Sequence, residues 1–187
     1  MASTDVETTA PTRTSTGTDI ALLVLRLGVG ATMLQAGLIK AFDFTTTAGF
    51  MGAGGWRLPE LGAFMVTAAE TLGGIGLLLG VLTPLAATAV IAAMLDAWAV
   101  NVSGAAFWSE PFNVPFLVAI GATALLFAGA GAYSVDARLP TRIRWSTRTA
   151  WILLAVAVVA AVVTWIALNG TNPLHVTAPT GEKPTQK

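Results

Sequence analysis

The sequence predicts an all-α membrane protein, a four-helix transmembrane bundle followed by a fifth, C-terminal transmembrane helix. Three observations carry this. Of 187 residues, 55% are hydrophobic and only 11% are charged, and the mean hydropathy is +0.72, too apolar for a soluble domain of this size. Several apolar runs approach the ~20 residues that cross a hydrocarbon core of about 30 Å. The runs lack the alternation of barrel strands, and lipid offers the backbone no hydrogen-bond partners, so helices are the remaining solution.

Residues 1–18 are rich in Thr and Ser and poor in bulky apolar side chains, which predicts a disordered cytoplasmic tail. Asp5, Glu7 and Asp19 beside a long apolar run argue against a cleaved signal peptide. Five spans follow, at residues 19–39, 61–82, 84–101, 113–130 and 149–168. Pro59 precedes the second, Thr83 and Pro84 form an N-cap and first-turn pair for the third, and Asn113 with Pro115 does the same for the fourth. The turn at Thr83-Pro84 is so short that the second and third spans form an antiparallel hairpin. The fifth span ends in NGTNP, where helix breakers lead into a flexible extracytoplasmic tail at 169–187. Between spans one and two, KAFDFTTTAGFMGAGGWRLP carries Phe42, Phe44, Phe50 and Trp56, the composition of an interfacial segment.

Charge placement sets the orientation. Arg138, Arg142, Arg144 and Arg148 crowd the loop before the fifth span, whereas the 102–112 loop has no basic residue. Basic loops favour the cytoplasm, so the N-terminus is expected inside and the C-terminus outside a plasma membrane. Lys40 and Arg57 count against this orientation. Trp56, Trp108 and Trp165 then fall near the outer boundary and Trp145 and Trp151 near the inner one. The same arginines suit anionic lipid headgroups or a cytoplasmic partner.

Ten basic against ten acidic residues leave no footprint for nucleic acid. With no cysteine, the chain forms no disulfide, thiol relay or iron-sulfur cluster; His175, its one histidine, lies in the tail, so no haem site can be built from histidine within the membrane. No metal site is predicted. The chemistry that remains lies in polar side chains within the spans: Arg26 and Gln35 in the first, Glu70 in the second, Asp96 in the third. At ~1.5 Å per residue, Glu70 and Asp96 each lie about 18 Å from the cytoplasmic edge, Gln35 slightly farther and Arg26 about 10 Å. Glu70, Asp96 and Gln35 are therefore expected in one layer, with Arg26 reaching toward Glu70 or back to the headgroups. A buried carboxylate avoids an unpaired charge, so the acids are either neutral or one is ionised by pairing with Arg26. Such a cluster serves either to fix helix register or as a proton-linked or quinone-headgroup site. Gly76 and Gly80 form a G-x-x-x-G pair and Gly73 and Gly74 extend it, a face for close helix packing, including against a second copy of the chain.

Three stretches carry a family resemblance. LLVLRLGVGATMLQAGLIKAFDF (22–44), AETLGGIGLLLGVLTPLAA (69–87) and GAGAYSVD (129–136) resemble, in that order, the DoxX family of small membrane proteins. The resemblance covers roughly residues 20–139. It implies a four-helix membrane core at 19–139, with the basic loop and extra helix at 140–168 beyond it, and association with an oxidoreductase system near the quinone pool. It implies Arg26, Lys40, Glu70 and Asp136 as positions of interest and a membrane or soluble redox protein as partner. Members often carry histidines where this chain has Ala36 and Asn101, which removes histidine-dependent chemistry. The expectation is a quinone-linked subunit without a covalently held cofactor, in which Glu70 and Asp96 are catalytic acids and Arg26, Gln35 and Lys40 bind the quinone. A scaffold that recruits a soluble partner through the arginine loop and a proton-linked transporter are the alternatives.

Overall fold

The computed structural model describes residues 15–103, 111–139 and 146–170. Among them the chain is all helical: α1 (Thr16–Phe42), α2 (Phe44–Ala53), α3 (Pro59–Leu79), α4 (Thr83–Ser103), α5 (Val114–Ala128) and α6 (Thr147–Thr164), the last continued by a π-helical turn at Trp165–Asn169. Four of these helices, α1, α3, α4 and α6 with its extension, are long and apolar enough to cross a bilayer. The protein is thus a membrane protein whose α1, α3, α4 and α5 form the core and whose α6 packs on α4.

Local chemistry fixes the ends. Ser15 caps α1, its hydroxyl accepting from Thr18 N, so α1 starts before Asp19, in residues the sequence assigned to the tail. Pro59 supplies the first turn of α3 and Asn113 caps α5, accepting from Phe116 N. The expected fourth span is shortened to 15 residues, about 22 Å, because Gly129 at φ +81° ends α5. Between α1 and α3 the interfacial segment is a helix, α2, capped by Asp43. Arg142, Arg144, Trp108, Trp145, His175 and residues 1–14 lie outside the described residues.

Glycine sets how α1 and α3 meet. A Cβ on Gly37 would lie 2.6 Å from Thr71 N, and one on Gly74 would lie 2.5 Å from Leu34 N. The two backbones touch, antiparallel, and their register is locked. Gly76 and Gly80 are consumed inside the chain: a Cβ on Gly76 would meet Ala86 of α4 at 2.7 Å, and Gly80 faces the Arg26 guanidinium. The expected use of Gly76 and Gly80 between two copies is therefore corrected. Gly80 is also left-handed at φ +66° and terminates α3 rather than presenting a packing face.

The Thr83-Pro84 hairpin exists, but Thr83 is not its cap. The Asp136 carboxylate takes that role, accepting from Leu82 N at 2.9 Å and Thr83 N at 3.0 Å. An anion at this helix start satisfies two otherwise orphaned donors. Asp136→Ala is expected to cost about 1 kcal/mol of stability, read by thermal unfolding in detergent, while Arg138→Ala on the exposed neighbour leaves the transition in place. Equal melting temperatures for Asp136→Ala and the parent would contradict the cap.

Candidate functional site

The bundle is pinched at one end and open at the other, and polar side chains decide both. At the pinched end Arg26 is 2% exposed. Its Nη1 donates to the Ala130 carbonyl at 3.1 Å and its Nη2 to the Tyr133 carbonyl at 2.6 Å. Asp19, about two turns earlier on the same face of α1, accepts from Ala132 N at 3.0 Å. Val135 N and Asp136 N donate to the carbonyls of Leu79 and Gly80. The segment after α5 is thereby stitched under the α3–α4 turn, and nonhelical backbone inside a membrane bundle keeps its polar groups paired.

Arg26 is consequently not a partner of Glu70. It lies level with Gly80, whereas Glu70 lies about ten residues back along α3, roughly 15 Å away along the axis. The expected Arg26–Glu70 pocket is corrected for that reason: the glycine contacts place α1 lower against α3 than depth counting from the span edge assumed. Arg26 is a clamp, and Glu70 needs another cation.

Lys40 supplies it. Because α1 continues to Phe42, Lys40 remains helical, and its Nζ lies 2.7 Å from Glu70 Oε2. Glu70 is 2% exposed and Lys40 is 30% exposed, so the acid is sealed in the bundle and the ammonium looks outward from it. A second Nζ contact, at 3.5 Å, reaches the Ala36 carbonyl. The pair sits beside a cavity of about 460 Å³ walled by α1, α3, α4 and α6 and covered by α2. Its walls are mostly apolar, Met33, Met65, Val66, Ala93 and Val100 among them, and its polar groups include Lys40, Glu70, Asp96 and Asn101.

Asp96 enters this cavity from α4 and makes no ion pair or hydrogen bond among the described residues. The small residues Ala89, Ala92, Ala93 and Ala97 around it leave the space. On the opposite wall Thr47, Phe50 and Met51 of α2 close the top, and Ala160 and Thr164 of α6 close one side. Trp56 anchors this end by stacking edge-on against Trp165 at 6.0 Å, and Arg57 N donates to Leu168 O at 2.7 Å, so the end of α6 is tied to the α2–α3 link.

The structure therefore brings together three of the five residues expected at the site. Lys40, Glu70 and Asp96 border one cavity, Arg26 belongs to the far end, and Gln35 is exposed on the outer face of α1. Sequence reasoning missed the cavity walls contributed by α2 and α6. The signal available was the small-residue content of α4 at 89–97, which leaves room where a packed helix carries bulk.

The chain matches a known family over α1 to α4, which build most of this site. Residues 21–103 match the DoxX family model. The match covers α1 from Ala21 through α4 and spans Arg26, Lys40 and Glu70, three of the positions the resemblance implied, together with Asp96. The segment holding Asp136 and helix α6 lie outside the matched residues. Comparisons with curated proteins and with solved structures return no match.

Proposed function

We propose that this DoxX-domain protein is an integral subunit of a quinone-linked oxidoreductase system in the cell membrane, and that its cavity receives the quinone headgroup. The observation that carries the reading is the unpartnered Asp96 carboxylate facing the Lys40–Glu70 pair's cavity. A polar cluster that served packing alone would pair its members, because an unpaired polar group in low dielectric is costly. A cavity of this volume is of ligand size, with apolar walls and few polar groups to fix orientation.

The chemistry follows from these groups. Reducing a quinone to a quinol takes two electrons and two protons. Lys40 Nζ, outward of the pair, is placed to donate a hydrogen bond to one quinone oxygen, and Asp96 is placed to exchange a proton with bound quinone. Glu70 keeps Lys40 charged and fixed. The electrons come from a redox protein of the same assembly, and protons return to Asp96 through the cavity. The basic 131–149 loop lies on the cytoplasmic side in this reading, with the N-terminus inside and the C-terminus outside.

Asp96→Asn is the direct test, because it keeps shape and breaks no bond present in the fold. Quinone-linked turnover in native membranes is expected to fall by about 10²-fold, the lower range for loss of a proton-transfer group. Quinone should still be extracted with the purified variant. Undiminished turnover in Asp96→Asn would contradict the assignment.

A further inference from the structure

Gln35 is left out of the cavity and out of the bundle. It is exposed, it has no partner among the described residues, and it sits well inside α1, about 10 Å before the helix ends at Phe42. An amide facing hydrocarbon loses its water hydrogen bonds without replacement, so its position calls for a partner outside this chain.

The residues around it form a pattern. Gly17, Ala21, Val24, Gly28, Ala31, Gln35, Leu38 and Phe42 follow one another at alternating spacings of four and three, and every one is exposed. Such spacing is the seam of a heptad repeat. Any helix face shows the spacing, and the side chains make this one different. Half of the positions are Gly or Ala, and a Cβ placed on Gly28 would meet nothing within 4 Å. The outward faces of the other spans are bulky, with Phe64, Leu72 and Ile75 on α3, Leu117 and Ile120 on α5, and Ile152, Val159 and Val163 on α6. Ile20, Leu27 and Ile39 flank the seam and are also exposed, and the rest of α1 is taken: Gly30 and Gly37 lie on α3, and Met33, Ala36 and Lys40 border the cavity.

We infer that this seam of α1 is the interface with a second copy of the chain, two parallel α1 helices packed about a twofold axis along the membrane normal with their Gln35 amides hydrogen-bonded to each other. The occupant follows from symmetry and chemistry. Copies inserted with the same topology carry α1 in the same direction, so a twofold axis brings each seam residue to its own counterpart. A primary amide is self-complementary, because its N–H donates and its C=O accepts. Among side chains in a membrane seam, one such amide fixes register. The small residues Gly28 and Ala31 let the helices approach closely enough for the amides to meet. The inference stands apart from the quinone reading and survives its failure.

The chain has no cysteine, so single-cysteine cross-linking is free of background. Ala31→Cys and Leu38→Cys, oxidised in native membranes with copper phenanthroline, are expected to give a disulfide-linked species of twice the monomer mass. Val159→Cys on α6 is expected to stay monomeric. Adding Gln35→Leu to Ala31→Cys should lower the dimer association constant measured in detergent by about tenfold, and Gln35→Asn should lower it less. Absence of cross-linking at Ala31 and Leu38, equal cross-linking at Val159, or a Gln35→Leu variant that associates as tightly as the parent would each overturn the inference. Cross-linking of Ala31→Cys to a protein of another mass would overturn it in favour of a different membrane partner.

Discussion

Lys40→Met is expected to lower the unfolding free energy by about 3 kcal/mol, the lower end of the range for removing one partner of a buried ion pair. The loss arises from what remains: Glu70, 2% exposed, keeps a carboxylate with no cation beside it. The lower end applies because Lys40 itself is partly open and recovers some hydration when unpaired. Adding Glu70→Gln to Lys40→Met removes the stranded charge and is expected to restore at least half of the stability. A double-mutant cycle in detergent, by denaturant titration of helicity, reads this coupling. Losses that simply add would show that the two side chains do not depend on each other, and the pair would not be the structural centre of the cavity wall.

Arg26→Met is the second large effect, at about 3 kcal/mol or more. It leaves the carbonyls of Ala130 and Tyr133 without donors inside the bundle, and an unmet buried acceptor costs about 1–3 kcal/mol. Arg26→Lys is expected to recover less than half, because one ammonium cannot reproduce the fork that reaches two carbonyls at once. The segment 129–139 should loosen first, since Arg26, Asp19 and the α3–α4 turn are what hold it. Faster tryptic cleavage after Arg138 in Arg26→Met, with a lowered melting temperature, is the expected result. Unchanged cleavage and melting would mean that Arg26 does not clamp this segment.

These two residues also show what the sequence made legible and what it hid. The spans, the short α3–α4 hairpin and the caps at Pro59 and Asn113 follow from local rules, because lipid removes most alternatives to helix. The choice of cation for Glu70 does not. It depends on the register of α1 against α3, which Gly37 and Gly74 set through contacts between residues more than thirty positions apart. Counting depth from a span edge assumes helices that start level, and here they do not. Lys40 falls one residue beyond the span expected at 19–39, although the helix runs on to Phe42. Gly80 carries the same lesson in reverse: in sequence it continues a G-x-x-x-G face, and in the fold its left-handed backbone ends the helix under Arg26. Asp136 was implied by resemblance alone, and its capping of α4 is a contact no local pattern announces.

The organisation that emerges divides labour along the bundle. One end is closed by Arg26, Asp19 and Asp136, whose hydrogen bonds bind irregular backbone into the core. The other holds the cavity, where α2 and α6 complete walls that α1, α3 and α4 begin. Helix α6 is therefore more than an anchor, since Ala160 and Thr164 border the space that Asp96 faces.

The measurement closest to the central claim is photolabelling of the protein in native membranes with an azidoquinone, followed by peptide mapping. The expected result is label on the cavity walls, within residues 62–70 of α3 and 89–101 of α4, competed away by unlabelled quinone and retained in Asp96→Asn, whose defect lies in proton transfer. Label spread over the outward face of α6, at Val159 and Val163, and insensitive to competition would contradict it.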